Sequence, residues 1–256
     1  MIEAIILAGG EGRRLRTVVQ DLPKPMADIA GRPFLWWLLT RLNQQGVGRV
    51  VLSVGYKAEV IQDYFGLAFN GTEIAYSIET EPLGTGGAIR LALEQASQPG
   101  VIVINGDTYT NMDLGDLAAL GKASGTDLAM AVAHLDNTSR YGAVLIDETT
   151  SRVIGFEEKK GASPGYINAG TYCLRRDLFQ KYPVPLKFSF ERDFLSNELT
   201  RLNPLAFKEV RGFIDIGIPE DYALAQTYYK ESLALEEACD LQALGFPGSE
   251  KFGTGC

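Results

Sequence analysis

The sequence predicts an α/β fold with a doubly wound, mostly parallel mixed sheet. Three features of the chain carry that expectation. Short apolar runs alternate with helical patterns over its first half. The first run, Ala4 to Ala8, leads directly into the glycines Gly9, Gly10 and Gly12. A later run ends just before Asp107, and ligands of open parallel sheets bind at such strand ends. A chain of 256 residues, 46% of them hydrophobic, suits one large or two fused α/β units and can bury a substantial core.

Taken in order, Ala4–Ala8 reads as a buried parallel strand. Pro33–Leu42 reads as a helix with Pro33 in its tolerated first turn. Val50–Val54 and Val101–Asn105 read as strands, and Thr85–Glu94 and Leu114–Lys122 as helices, which completes a βαβ alternation. From Asp127 the pattern changes to short strands: Leu128–Ala133, Gly142–Ile146, Val153–Phe156 and Tyr166–Cys173. These are expected to extend the sheet and form a second lobe. Pro219–Ala234 reads as a final helix. Residues 1–236 therefore form one expected domain, with halves of about 1–125 and 126–236. Glu237–Cys256 carries Gly, Pro and Ser without a period and is expected to be a loosely ordered tail.

The charge balance is 24 − 32 = −8. An acidic chain is a poor nucleic-acid surface, so binding of anions requires positive charge concentrated locally. Arg13, Arg14, Arg16 and Lys24 provide that concentration. The three cysteines have no metal or disulfide spacing, and no signal peptide is visible, which points to a reducing cytoplasm. No apolar run is long enough to span a bilayer. Trp36 and Trp37 hint at spare apolar surface and hence at a homodimer. His134, the single histidine, argues against histidine-based acid–base chemistry.

The glycine turn looks built to grip a polyphosphate. Glycines admit close backbone approach, exposed N–H groups hold anions, and the arginines and Lys24 add fixed charge. Two better-known phosphate loops are excluded. The dinucleotide fingerprint fails because its third glycine position is Leu15, and no G-x-x-x-x-G-K-[ST] string occurs.

The string LAGG-x-G-x-R-L followed by P-K-P resembles the signature of the sugar-1-phosphate nucleotidyltransferases, over roughly residues 1–230. Arg13 departs from the small hydroxyl residue usual there, and the segment after Arg16 lacks a common proline. The resemblance implies a Rossmann-like nucleotidyltransferase (glycosyltransferase-A-like) fold and an enzyme that joins a nucleoside triphosphate to a sugar 1-phosphate, releasing pyrophosphate. It implies Mg²⁺ as cofactor, with Asp107 and Asp215 (in D-x-G-x-P) as ligands. Arg14 and Lys24 would be catalytic contacts to the phosphates. Leu7, Ala8, Gly9, Gly10, Gly12 and Arg13 would form the nucleotide loop. Gly142, Glu158, Lys159 and Asn168 would hold the sugar phosphate.

The base is expected near EPLGTGGA, with Glu79, Glu81, Gly84, Thr85 and Gly86 around it. Guanine offers adjacent N–H donors that one carboxylate can accept together. This loop carries two glutamates and no amide side chain, which leans towards guanine. The string also resembles that of mannose-type guanylyltransferases. The nearest alternatives are guanylyl transfer to mannose 1-phosphate, and uridylyl or thymidylyl transfer to a hexose phosphate. A nucleotide-sugar-sensing subunit on the same fold would be expected to lack one of these charged groups.

Overall fold

Ile2–Leu7 is apolar at nearly every position, so a strand there must be covered on both faces. In the computed structural model, which describes residues 1–10, 22–123, 126–158 and 163–243, it is β1 at the centre of the main sheet. A short 3-10 turn, Lys24–Met26, follows, then a small hairpin of β2 (Asp28–Ile29) and β3 (Arg32–Pro33). The rest of the first half is α1 (Phe34–Gln44), β4 (Val47–Val54), α2 (Ala58–Phe65), β5 (Ala68–Phe69), β6 (Thr72–Ile78), α3 (Gly84–Leu93) and β7 (Gly100–Asn105). Then come β8 (Thr108–Asn111), α4 (Leu114–Ala123), β9 (Leu128–Leu135), β10 (Ala143–Asp147), β11 (Arg152–Glu157) and β12 (Gly165–Arg175). A short α5 (Leu178–Lys181), a π-helix at Phe190–Leu195, α6 (Ser196–Leu202), β13 (Leu205–Phe207), β14 (Gly212–Asp215) and α7 (Pro219–Ala243) complete the chain.

The ten-stranded sheet runs β10-β11-β13-β9-β12-β7-β1-β4-β6-β5. Pairing is parallel from β7 through β1 and β4 to β6, as the βαβ alternation requires. In the second half it is mostly antiparallel, with β13–β9 the parallel exception. Alternate residues feed opposite faces. Ala4, Ile6, Val50 and Leu52 join the cluster under α1, α2, α4 and α7, whereas Ile5, Val51 and Val103 join the one under α3, α5 and α6. The sheet is thus covered on both sides.

Several boundaries differ from expectation. Pro33 closes the hairpin and stands just before α1, not in its first turn. The final helix runs to Ala243, so 237–243 is helical instead of loose tail, and 244–256 lies outside the described residues. Trp37 is buried, donates to the Ile29 carbonyl at 2.9 Å and stacks on Tyr229. Trp36 packs edge-on against Phe69 with Arg32 over its ring. Trp37 thus belongs to the core, and Trp36 is half-buried against it. Among the described residues, no helix is long and apolar enough to cross a membrane.

Candidate active site

The parallel strands β1, β4 and β7 all end at one edge, and a cavity of about 660 Å³ opens there. That volume is in the range of small-molecule sites. Its wall takes in Leu7, Gly9 and Gly10 after β1, Lys24, Tyr56, Glu79 to Pro82, Gly84 and Thr85 at the start of α3, and Asn105 to Asp107 after β7. Ala8 is buried, its N–H donated to the Ser53 carbonyl at 2.7 Å. A side chain at Gly9 would come within 2.7 Å of Glu79 Oε1, whereas at Gly10 it would meet nothing within 4 Å among the described residues. The oxygen of the Asn105 amide is buried with no partner among the described residues, an unused acceptor at this wall.

Lys24 and the two acids meet through a small ribbon. β14 pairs antiparallel with β8, setting Asp215 opposite Thr108, and the Ile216 N–H donates to the Asp107 carbonyl at 3.0 Å. The Lys24 ammonium is in contact with Asp107 Oδ2 and lies 3.7 Å from Asp215 Oδ1, with the lysine side chain only 15% exposed. Gly217 makes this approach possible, because an added Cβ would overlap the lysine tip. Burial, then the charge of Asp107, raises the Asp215 carboxyl above its ordinary value, while Lys24 and the Gly217 N–H pull it down. Two carboxylates converging on one cation supply oxygen donors suited to magnesium, which takes a few carboxylates and fills its other positions with water and phosphate oxygens. Among the described residues, no cluster of three or more His, Cys, Asp or Glu adds further ligands.

The segment expected near the base is divided between the cavity and the packing beneath it. Glu79 is pushed up by burial, partly offset by the N–H of Leu83, which it accepts at 3.0 Å. Glu81 is exposed at the rim. Gly84 has a φ of +74° and reaches the cavity with Thr85. Gly86 does not: it is buried, and the Phe188 ring fills the space its side chain would need. Gly86 instead packs against the second half, its N–H donated to the Phe188 carbonyl at 3.0 Å.

Of the residues expected to hold the sugar phosphate, Gly142, Glu158 and Asn168 lie in or beside the neighbouring strands and outside this cavity's lining. Gly142 precedes β10, where a side chain would come within 2.8 Å of the Glu157 carbonyl. Glu158 is exposed just past β11. Asn168 is partly committed, donating to the Tyr172 hydroxyl at 2.7 Å and accepting the Gly170 N–H at 3.0 Å. Gly170 in turn packs against Asn105, which brings this bulge of β12 beside the cavity. Gly12, Arg13, Arg14 and Lys159, with Arg16, lie outside the described residues.

Sequence reasoning missed Tyr56, Asn105 and Glu191. Asn105 had a signal in its position directly before Gly106 and Asp107. Glu191, which accepts the Thr85 hydroxyl at 2.8 Å, had none, because the two are 106 residues apart.

A glycine turn, a lysine between two strand-end carboxylates and a cavity at the edge of parallel strands define a phosphate-handling α/β site. The family model for Nucleotidyl transferase matches residues 3–232, and the chain belongs to that family. It is 46% identical over 225 residues, 88% of this chain and 97% of the relative, to a D-glycero-α-D-manno-heptose 1-phosphate guanylyltransferase of Aneurinibacillus thermoaerophilus. A second heptose 1-phosphate guanylyltransferase, from Campylobacter jejuni, is 44% identical over 86% of this chain and 97% of its own length. The crystal structure of HddC from Yersinia pseudotuberculosis complexed with GMP-PN matches with a TM-score of 0.77 and 41% identity, over 90% of this chain and all of that one.

Proposed function

We propose that this enzyme transfers a guanylyl group from GTP to D-glycero-α-D-manno-heptose 1-phosphate, giving GDP-heptose and pyrophosphate. The observation that carries the reading is the Lys24 ammonium held against Asp107 and within 3.7 Å of Asp215 at the edge of a nucleotide-sized cavity. The choice of base and sugar draws on the two heptose enzymes and on the nucleotide analogue bound to HddC.

Both substrates are anions, so the tasks are neutralisation and alignment. Asp107 and Asp215 would hold magnesium, which would supply charge neutralisation for the phosphates. Lys24 has a cation's role of its own. It is stiffened by flanking prolines and lines the same cavity as Gly9 and Gly10, within reach of a phosphate bound there. Gly9 and Gly10 line the cavity without side chains, which suits close approach of the backbone to the triphosphate. Glu79, anchored through the Leu83 N–H, presents a carboxylate to the base. Arg14 and Lys159 would add contacts to the triphosphate and to the sugar's phosphate. The reaction would run in the cytoplasm and feed the assembly of a bacterial surface polysaccharide.

The test is pyrophosphate release from a matrix of nucleoside triphosphates and heptose, mannose, glucose and N-acetylglucosamine 1-phosphates, with and without magnesium. Release with GTP and the manno-heptose phosphate supports the full reading. Release with UTP or dTTP and a hexose phosphate overturns the base and sugar. Silence from folded protein favours a nucleotide-sugar-sensing role.

A further inference from the structure

Glu191 sits in the π-helix Phe190–Leu195, a rare backbone form that recurs at functional sites. Its two carboxylate oxygens are divided between the two halves of the chain. Oε2 accepts the Thr85 hydroxyl at 2.8 Å, and Oε1 accepts the Tyr172 hydroxyl at 3.2 Å. Thr85 lines the nucleotide cavity. Tyr172 is fully buried in β12, where its oxygen takes the Asn168 N–H at 2.7 Å. A continuous chain of hydrogen bonds thus runs Thr85–Glu191–Tyr172–Asn168.

The direction of each bond follows from chemistry. A carboxylate only accepts, so both hydroxyl protons point at Glu191. Burial, then the charge of Glu191, keeps the Tyr172 hydroxyl protonated well above the usual range. The Tyr172 oxygen is then free to accept from Asn168, whose own oxygen takes the Gly170 N–H. Asn168 is left with one N–H and one lone pair in set positions. The Thr85 oxygen likewise takes the Phe190 N–H at 2.8 Å while its proton goes to Glu191. An amide in place of Glu191 would keep only one acceptor oxygen and could not serve both hydroxyls.

We propose that Glu191 is a positioning residue of the transfer reaction, setting the sugar-binding Asn168, through Tyr172, against the nucleotide wall at Thr85. The proposal rests on the reading of Asn168 as a sugar contact. Tyr172→Phe separates the two arms, because it removes the link to Asn168 and leaves the Thr85–Glu191 bond. One hydrogen bond of this kind corresponds to about two- to tenfold. Tyr172→Phe should therefore raise the KM for the sugar phosphate roughly two- to tenfold and leave the KM for GTP unchanged. Glu191→Gln should raise both. In an Asn168→Ala background, Tyr172→Phe should add nothing further.

Equal rises in both KM values for Tyr172→Phe, no rise in either, or additivity with Asn168→Ala would overturn the proposal. If Tyr172→Phe fails to fold, Thr85→Val and Glu191→Gln give the same comparison from the nucleotide side. Thr85→Val should raise the KM for GTP and spare that for sugar phosphate, and the reverse pattern refutes the chain. Dissociation constants from calorimetry read the same split without turnover. A wild type that takes another base or sugar overturns the substrate assignment alone, and the split is then measured on those substrates.

Discussion

Replacing Gly217 with alanine tests whether the position of Lys24 matters to the chemistry. The added methyl would stand 2.8 Å from Asp215 Oδ1 and 3.1 Å from Lys24 Cε, and it would overlap Nζ. Non-bonded atoms are comfortable at about 3.5 Å, so the lysine tip must retreat by about 1 Å. The backbone at 217 is outside the left-handed region, so alanine fits it and the perturbation is steric. A group that aligns reactants loses on the order of 100-fold when misplaced by about 1 Å. The expected result is a fall in kcat/KM on the order of 100-fold in the pyrophosphate-release assay, with Tm close to wild type. Lys24→Met should cost at least as much. Wild-type kcat/KM in a well-folded Gly217→Ala enzyme would refute the reasoning.

Asp107→Asn should nearly abolish magnesium-dependent turnover while Tm is retained, and wild-type-like activity would remove Asp107 from the ligand set. Glu79→Gln should narrow the ratio of kcat/KM for GTP over UTP, and an unchanged ratio would assign base choice to backbone groups. Because burial raises Glu79, the wild-type preference for GTP should fade as pH falls, at a higher pH than an exposed glutamate would allow, and Glu79→Gln should flatten that profile. Glu3 is buried and paired with Arg49, and it accepts the N–H groups of Ser97 and Gln98 at 2.8 Å and 2.7 Å. Burial pushes its carboxyl up, but the Gln98 N–H, Arg49 and the Ser97 N–H win and hold it below the ordinary value. Its stabilisation is therefore complete above the unfolded-state pKa and is lost as pH falls through the depressed folded-state value. Glu3→Gln should cost about 3 kcal/mol at neutral pH, and denaturant titrations should show the gap to wild type closing in acid.

The parts of the fold legible in the sequence were those with a contiguous signature. Ala4–Leu7 and Val101–Ile104 are unbroken apolar runs, and only a strand covered on both faces suits them. Strands of mixed character were harder to read. Thr72–Ile78 is only half buried along its length, and Gly212–Asp215 is four residues that gain a partner solely by pairing with β8. Glycines carried the least certain message. Gly9 and Gly10 reach the cavity as expected, yet Gly86, in an equally suggestive string, is required by the ring of Phe188.

The chain by itself determined the α/β class, and it singled out Gly9, Gly10, Lys24, Asp107 and Asp215 as candidates before any contact was known. Each depends on local backbone chemistry or on a short motif, and such signals survive without knowledge of distant contacts. Tertiary structure alone decided how those groups meet. The β8–β14 ribbon sets Asp215 against the segment of Asp107, and the missing side chain of Gly217 admits Lys24 between them. The π-helix brings Glu191 to Thr85 across 106 residues. Such meetings are set by which strand pairs with which and by which ring fills which gap, and those energies belong to the packed whole.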